Sequence, residues 1–264
     1  MDQAVIEPAL ADAQQAGRFD LYAGVHKALR LYMTDTLARV GRADPADDDE
    51  VAGAIGQLRD LLELCDLHIE DENRFVLPAL EARRPGVTER NAEEHVSHGQ
   101  AISALRREAA IVERCTAADR PMAVLALYRR LALFVAENFE HMHYEETRLM
   151  PVLWAEYPDE ALMGIEAAIV ESIPPMLMAR ALHWFLPALP HPDRVGMLSG
   201  MRENAPPGAF AGALEIARER LVLRDWRRLS EALGLPSAGA DGAADATVAA
   251  VAATVGGLRI AERW

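Results

Sequence analysis

Two stretches of this chain share one pattern: His68-Ile-Glu-Asp-Glu72-Asn-Arg-Phe-Val-Leu-Pro78 and His141-Met-His-Tyr-Glu145-Glu-Thr-Arg-Leu-Met-Pro151. In each, a Glu follows the His by four residues and a Pro follows it by ten. Residues four apart on an α-helix stand one turn apart on the same face, so each copy aims an imidazole and a carboxylate at one place. A single His-x3-Glu says little: with eight His and 41 acidic residues among 264, about one such pair is expected by accident. Two copies, each with Pro at the same offset in a chain holding 15 Pro, are improbable by chance. The pattern is that of a duplicated helical unit carrying metal-ligand chemistry.

The surrounding residues predict an all-α fold. Aromatic content is low, Ala and Leu are frequent, and alternating β-branched runs are nearly absent. Leu21, Val25, Leu29, Tyr32, Met33 and Leu37 form the stripe of a first helix, with His26 beside it and Gly41 and Pro45 at its end. Asp47-Asp48-Asp49-Glu50 is an acidic start for a second helix over 51–80, with Ile55, Leu58, Leu62, Cys65, Phe75 and Leu77 inward and Pro78 kinking or ending it. A third helix over 89–114, with Thr88 and Asn91 as caps, carries Glu94, His95 and His98 ahead of Ile102, Leu105 and Ile111. A fourth spans 122–154. Four long helices joined by short turns pack up-down-up-down. His26 precedes His68 by 42 residues and His95 precedes His141 by 46, so each half is a hairpin with the same chemistry.

Brought together, the hairpins supply His26, His68, Glu72, His95, His141 and Glu145. Six donors would saturate one ion, whereas two bridging carboxylates serve two ions and leave positions open. Imidazole with carboxylate suits iron, manganese, zinc or cobalt, and no thiolate pair is present. The bland alternative is a set of exposed His–Glu pairs, each worth a few tenths of a kcal/mol. Burying these groups without a metal would leave costly unpaired polar atoms. Tyr22, one turn before His26, either lines the pocket or packs in the core. Cys65 reads as a small buried apolar residue, and His143 as a surface one. Glu70, Asp71 and Glu146 are solvated charges or acceptors for ligating imidazoles.

His26 with Leu29, the two His-x3-Glu-x5-Pro runs and Glu93-Glu94-His95 resemble the hemerythrin (HHE cation-binding) family over roughly residues 18–156. The resemblance implies a four-helix bundle holding a non-haem di-iron pair bridged by two carboxylates and an oxo or hydroxo species. It makes His26, His68, His95 and His141 terminal ligands and Glu72 and Glu145 the bridges. Members often have a fifth His, and His98 is the candidate, although oxygen carriers space that pair by four residues rather than three. His98 is otherwise a neighbour of the ligands or stands where relatives carry a Leu-like residue.

Net charge of −14 argues against nucleic-acid or anionic-membrane partners. Two cysteines, no basic-then-apolar leader and no apolar run of membrane length give a cytoplasmic expectation. The domain reading is a lead-in over 1–17, a bundle over 18–157, a C-terminal helical segment over 158–236 and a poorly ordered Ala/Gly-rich tail over 237–264. The C-terminal segment reads as helices over 161–172, 175–185, 192–202, 207–223 and 226–233, an interaction surface or intradomain core. Its His183 and His191 read as non-ligands. The functional expectation is binding or sensing of O2, NO or related redox ligands. An enzyme acting on peroxide, NO or O2, and an iron or cluster maintenance protein, are the alternatives.

Overall fold

The computed structural model describes residues 17–236, and among them every regular element is helical. The core is four long helices in a ring: α1 (Ala23–Arg42), α2 (Asp48–Asp71), α4 (Glu89–Arg114) and α5 (Arg120–Tyr144). Neighbouring pairs are α1 with α2, α2 with α4, α4 with α5, and α5 with α1, the expected up-down-up-down bundle. Asp47 caps α2 by accepting from the backbone N–H groups of Asp49 and Glu50, with acidic residues filling the first turn. Thr88 and Asn91 do not cap α4. The Thr88 hydroxyl instead donates to Glu81, and Asn91 is buried in the bundle. Gly86, at φ +85°, makes the turn before α4 in a conformation that favours glycine.

Neither Pro78 nor Pro151 ends its helix. Each long helix passes through a five-residue π turn, π1 (Glu72–Val76) or π2 (Glu145–Leu149), and then resumes as α3 (Leu77–Arg83) or α6 (Met150–Glu156). Proline has no N–H and its ring collides with the carbonyl four residues back. The π turns accommodate this by letting the N–H just before each proline reach back five residues: Leu77 to the Glu72 carbonyl, Met150 to the Glu145 carbonyl. The extra residue shifts the register, so Val76 is buried and Phe75, expected inward, is only partly so. In α4 the inward residue is Val112, while Ile111 is exposed.

Two apolar clusters flank the His-rich level. One is the bundle core, including Leu58, Leu62, Ile102, Leu105, Leu131 and Phe134. The other gathers Tyr22, Val76, Leu77, Leu80, Leu149, Met150 and Leu153 from the helix ends, with Leu162 of α7 (Asp159–Ser172). Next, α8 (Pro175–Ala188) packs on α1, where Trp184 stacks on Tyr32 at 3.8 Å between centroids. The described residues up to Ala188 form one compact unit, so α7 and α8 belong with the bundle. A second unit begins at Leu189 and holds α9 (His191–Asn204), α10 (Pro207–Arg220) and α11 (Leu223–Ala232) around Leu198, Ala213, Ala217 and Leu229. Within it, Arg194 pairs with Asp225 at 3.1 Å. The lead-in, apart from Gly17, and the tail over 237–264 lie outside the described residues. Among those described, no helix is long and apolar enough to cross a membrane.

Candidate metal centre

The two π turns place the bridging candidates. Glu72 and Glu145 are the first residues of π1 and π2, where the widened turn displaces the side chain that follows an otherwise regular helix. All six expected ligands converge between the two apolar clusters. Five of them are buried, and the side chain of His68 is 14% exposed. Their donor atoms form two groups that could each hold a metal ion: His26, His68, Glu72 and Glu145, and Glu72, His95, His141 and Glu145. Within each group the atoms lie within 4.8 Å of one another, and both carboxylates belong to both groups.

Individual contacts agree with a shared centre. His26 Nε2 lies 3.3 Å from Glu145 Oε2, and His68 Nε2 lies 3.4 Å from Glu72 Oε1. His95 Nε2 is 3.2 Å from Glu72 Oε2, and His141 Nε2 is 3.2 Å from Glu145 Oε1. The outer ring nitrogens are held by residues beyond the donor set. His26 Nδ1 sits 3.0 Å from Glu146 Oε1, His141 Nδ1 2.7 Å from Glu94 Oε2, and His95 Nδ1 2.9 Å from Asn73 Oδ1. These oxygens only accept, so a neutral ring carries its proton on Nδ1 and turns the Nε2 lone pair inward. The residue after each shared Glu thus serves the first His of the opposite hairpin: Asn73 holds His95 and Glu146 holds His26.

That arrangement tests whether the residues fit a metal. His95 Nε2 and His141 Nε2 face each other at 3.2 Å with both Nδ1 atoms already committed. Two lone pairs so placed repel unless a proton or cation lies between them. His26 Nε2, His68 Nε2, Glu145 Oε2 and both Glu72 carboxylate oxygens are buried and have no hydrogen-bond partner among the described residues. Buried polar atoms are normally satisfied, and a cluster of unsatisfied donors for one kind of partner is what a cation site requires. The donor set fits one.

Electrostatics separates the carboxylates. Burial and the Glu145 charge push Glu72 well above the usual carboxylate range. Burial also pushes Glu145 upward, but the close imidazoles of His141 and His26 outweigh it and hold Glu145 well below that range. Burial lowers His68 to about 3 and His95 to about 4, which keeps both rings neutral, as ligands must be.

Several residues at the site were not legible as such in the sequence. Asn91 donates from Nδ2 to Glu145 Oε1 at 2.6 Å. Glu146, expected as a solvated charge or an acceptor for a ligating imidazole, takes the acceptor role, and it and Glu94 are each locked by an arginine: Arg90 Nε at 2.7 Å from Glu94, and Arg30 through two nitrogens at 2.5 and 3.0 Å from Glu146. Their partners come from the other end of the chain or an adjacent turn, which spacing does not reveal. Tyr22 lines the site, stacked on His26. His98 is buried edge-on against His141 at 4.8 Å between centroids but joins neither donor group. Asp71 lies under the Ser172 hydroxyl, and Cys65 is a buried thiol pushed by burial up to about 12. His143 is exposed.

The family model of the hemerythrin HHE cation-binding domain matches residues 18–154. No curated protein and no solved structure matches the chain.

Proposed function

The chain belongs to the hemerythrin HHE cation-binding domain family, and on that premise we propose that it is a non-haem di-iron protein that binds or senses O2, NO or a related redox ligand. One observation carries this reading: two four-donor groups with Glu72 and Glu145 in common. Donors shared in this way suit a carboxylate-bridged pair, with His26 and His68 as terminal ligands of one ion and His95 and His141 of the other. Imidazole and carboxylate suit iron, with manganese or zinc as the alternatives. When bound, such a pair would supply open coordination positions and one-electron chemistry to a small ligand. The protein's part is to orient the rings through Glu146, Glu94 and Asn73, to hold Glu145 through Asn91, and to exclude bulk water. That exclusion falls to Val76, Leu77, Leu149 and Met150 on one side and the bundle core on the other. We place the protein in the cytoplasm, where iron(II) is available and where its two free thiols would persist.

Anaerobic iron loading followed by separate additions of O2, NO and peroxide tests the proposal. Two irons per chain and a stable, reversible O2 or NO spectrum are expected. Rapid turnover of peroxide or NO would replace the binding role with an enzymatic one. Iron lost readily to a chelator or an apo-cluster protein would make it a maintenance protein. One iron or none per chain would refute the paired site.

A further inference from the structure

The two hairpins carry the same order of His and Glu, and the residues one turn before each first His differ in what they touch. Tyr22 stands four residues before His26, as Asn91 stands four residues before His95. Asn91 spends its donor on the bridging candidate Glu145, at 2.6 Å. The Tyr22 hydroxyl is buried, with the residue 1% exposed, and it has no hydrogen-bond partner among the described residues. Its ring lies nearly parallel to His26, with 5.0 Å between centroids and 24° between planes, and the other buried members of its cluster are Leu, Val and Met side chains. A Phe would fill this space equally well. A buried hydroxyl left unpaired costs about 1–3 kcal/mol, so packing alone does not account for a Tyr.

We propose that the Tyr22 hydroxyl donates a hydrogen bond to the small ligand at the metal pair, and so selects ligands whose outer atom accepts one, small anions above all. The inference rests on the di-metal reading and adds to it the chemistry of the ligand. A phenol hydroxyl is both donor and acceptor, and at neutral pH it keeps the proton that donation needs. Asn91 is anchored on the Glu145 carboxylate through Nδ2, which gives it a partner that the Tyr22 hydroxyl lacks.

The test uses the full chain loaded with iron(III), wild type and Tyr22→Phe, with azide as the probe. Iron per chain is measured first, then azide affinity by absorption, then the azide infrared stretch in H2O and D2O. Expected are equal iron contents, azide binding about tenfold weaker in Tyr22→Phe, and a D2O shift of the azide stretch in wild type that the variant lacks. Equal azide affinities at equal iron content overturn the proposal. So does a phenolate-to-iron(III) absorption band in wild type that the variant loses, because it would make Tyr22 a ligand. If the variant does not fold, the wild-type infrared measurement decides alone, and an unshifted stretch overturns the proposal. Wild type that holds no iron removes the di-iron reading and this inference with it, before any azide is added.

Discussion

Replacing Glu146 with Gln should weaken one metal position and spare the other. Glu146 Oε1 is 3.0 Å from His26 Nδ1, and Arg30 grips both carboxylate oxygens. Burial pushes Glu146 upward, but hydrogen bonds from His26 and Arg30 hold it at about 2, so it is an anion at any working pH. Gln preserves the shape and removes the charge. A hydrogen bond to a charged group is worth about 1.5–3 kcal/mol against about 1 for a neutral one. The difference is about 0.5–2 kcal/mol, and a Glu146 side chain 26% exposed against a fully buried His26 places the loss near the middle, about 1–1.5 kcal/mol. That is about tenfold in affinity, within the 10–100-fold that ~1–3 kcal/mol changes around metal-bound His commonly bring. His26 belongs only to the group with His68, so the effect falls on that ion. A chelator-competition titration of the metal-free chain should resolve two steps, with Glu146→Gln displacing one of them by about tenfold. Glu113→Gln, which breaks the exposed pair with Arg59, serves as the control and should displace neither. Equal weakening of both steps, or of neither, would refute this assignment of His26 and its carboxylate.

Substituting His141→Ala or Glu145→Ala should abolish most metal binding by elemental analysis while His183→Ala binds normally; equal loading in all three would remove the ligand assignment. In the metal-free chain His68, lowered by burial to about 3, binds fewer protons folded than unfolded between there and about 6.5. Its contribution therefore makes stability fall on acidification through that window, by about 2 kcal/mol near pH 5. His68→Leu should flatten the urea-midpoint profile between about pH 7 and 5 relative to wild type, and parallel profiles would contradict the neutral-ring assignment. Leu162→Ala, at a fully buried position of α7, should cost about 2–5 kcal/mol in urea unfolding. A cost below about 1 kcal/mol would mean that α7 is no structural part of the bundle unit.

What the sequence disclosed and what it withheld follow from the range of the interactions. The His-x3-Glu runs, the bounds of α4 and the bundle order rest on local periodicity, and they were legible. Pro78 was visible as a helix disturbance, whereas Pro151 was read through, inside a helix over 122–154. That the disturbance takes the form of a π turn depends on tertiary packing holding both flanks in helix, which spacing does not carry. The one-residue shift this introduces misplaced Phe75 against Val76. Asn91 looked like a cap because it stands near a helix start, and only the approach of Glu145, 54 residues on, reveals its task. Glu94, Asn73, Arg30 and Arg90 were hidden for the same reason. His98 faces the His141 ring rather than the donor groups, because three residues rotate a side chain less far than four.

The exchange of donors between hairpins has a consequence for how the protein opens. The His26–His68 group takes its second carboxylate from α5's continuation, and the His95–His141 group takes one from α2's. Neither hairpin owns a complete donor set, so an ion bound in either group would act as a rivet through both halves. Pulling one hairpin away would strip a carboxylate from both groups at the same moment. Loss of such ions and parting of the halves would then be a single event.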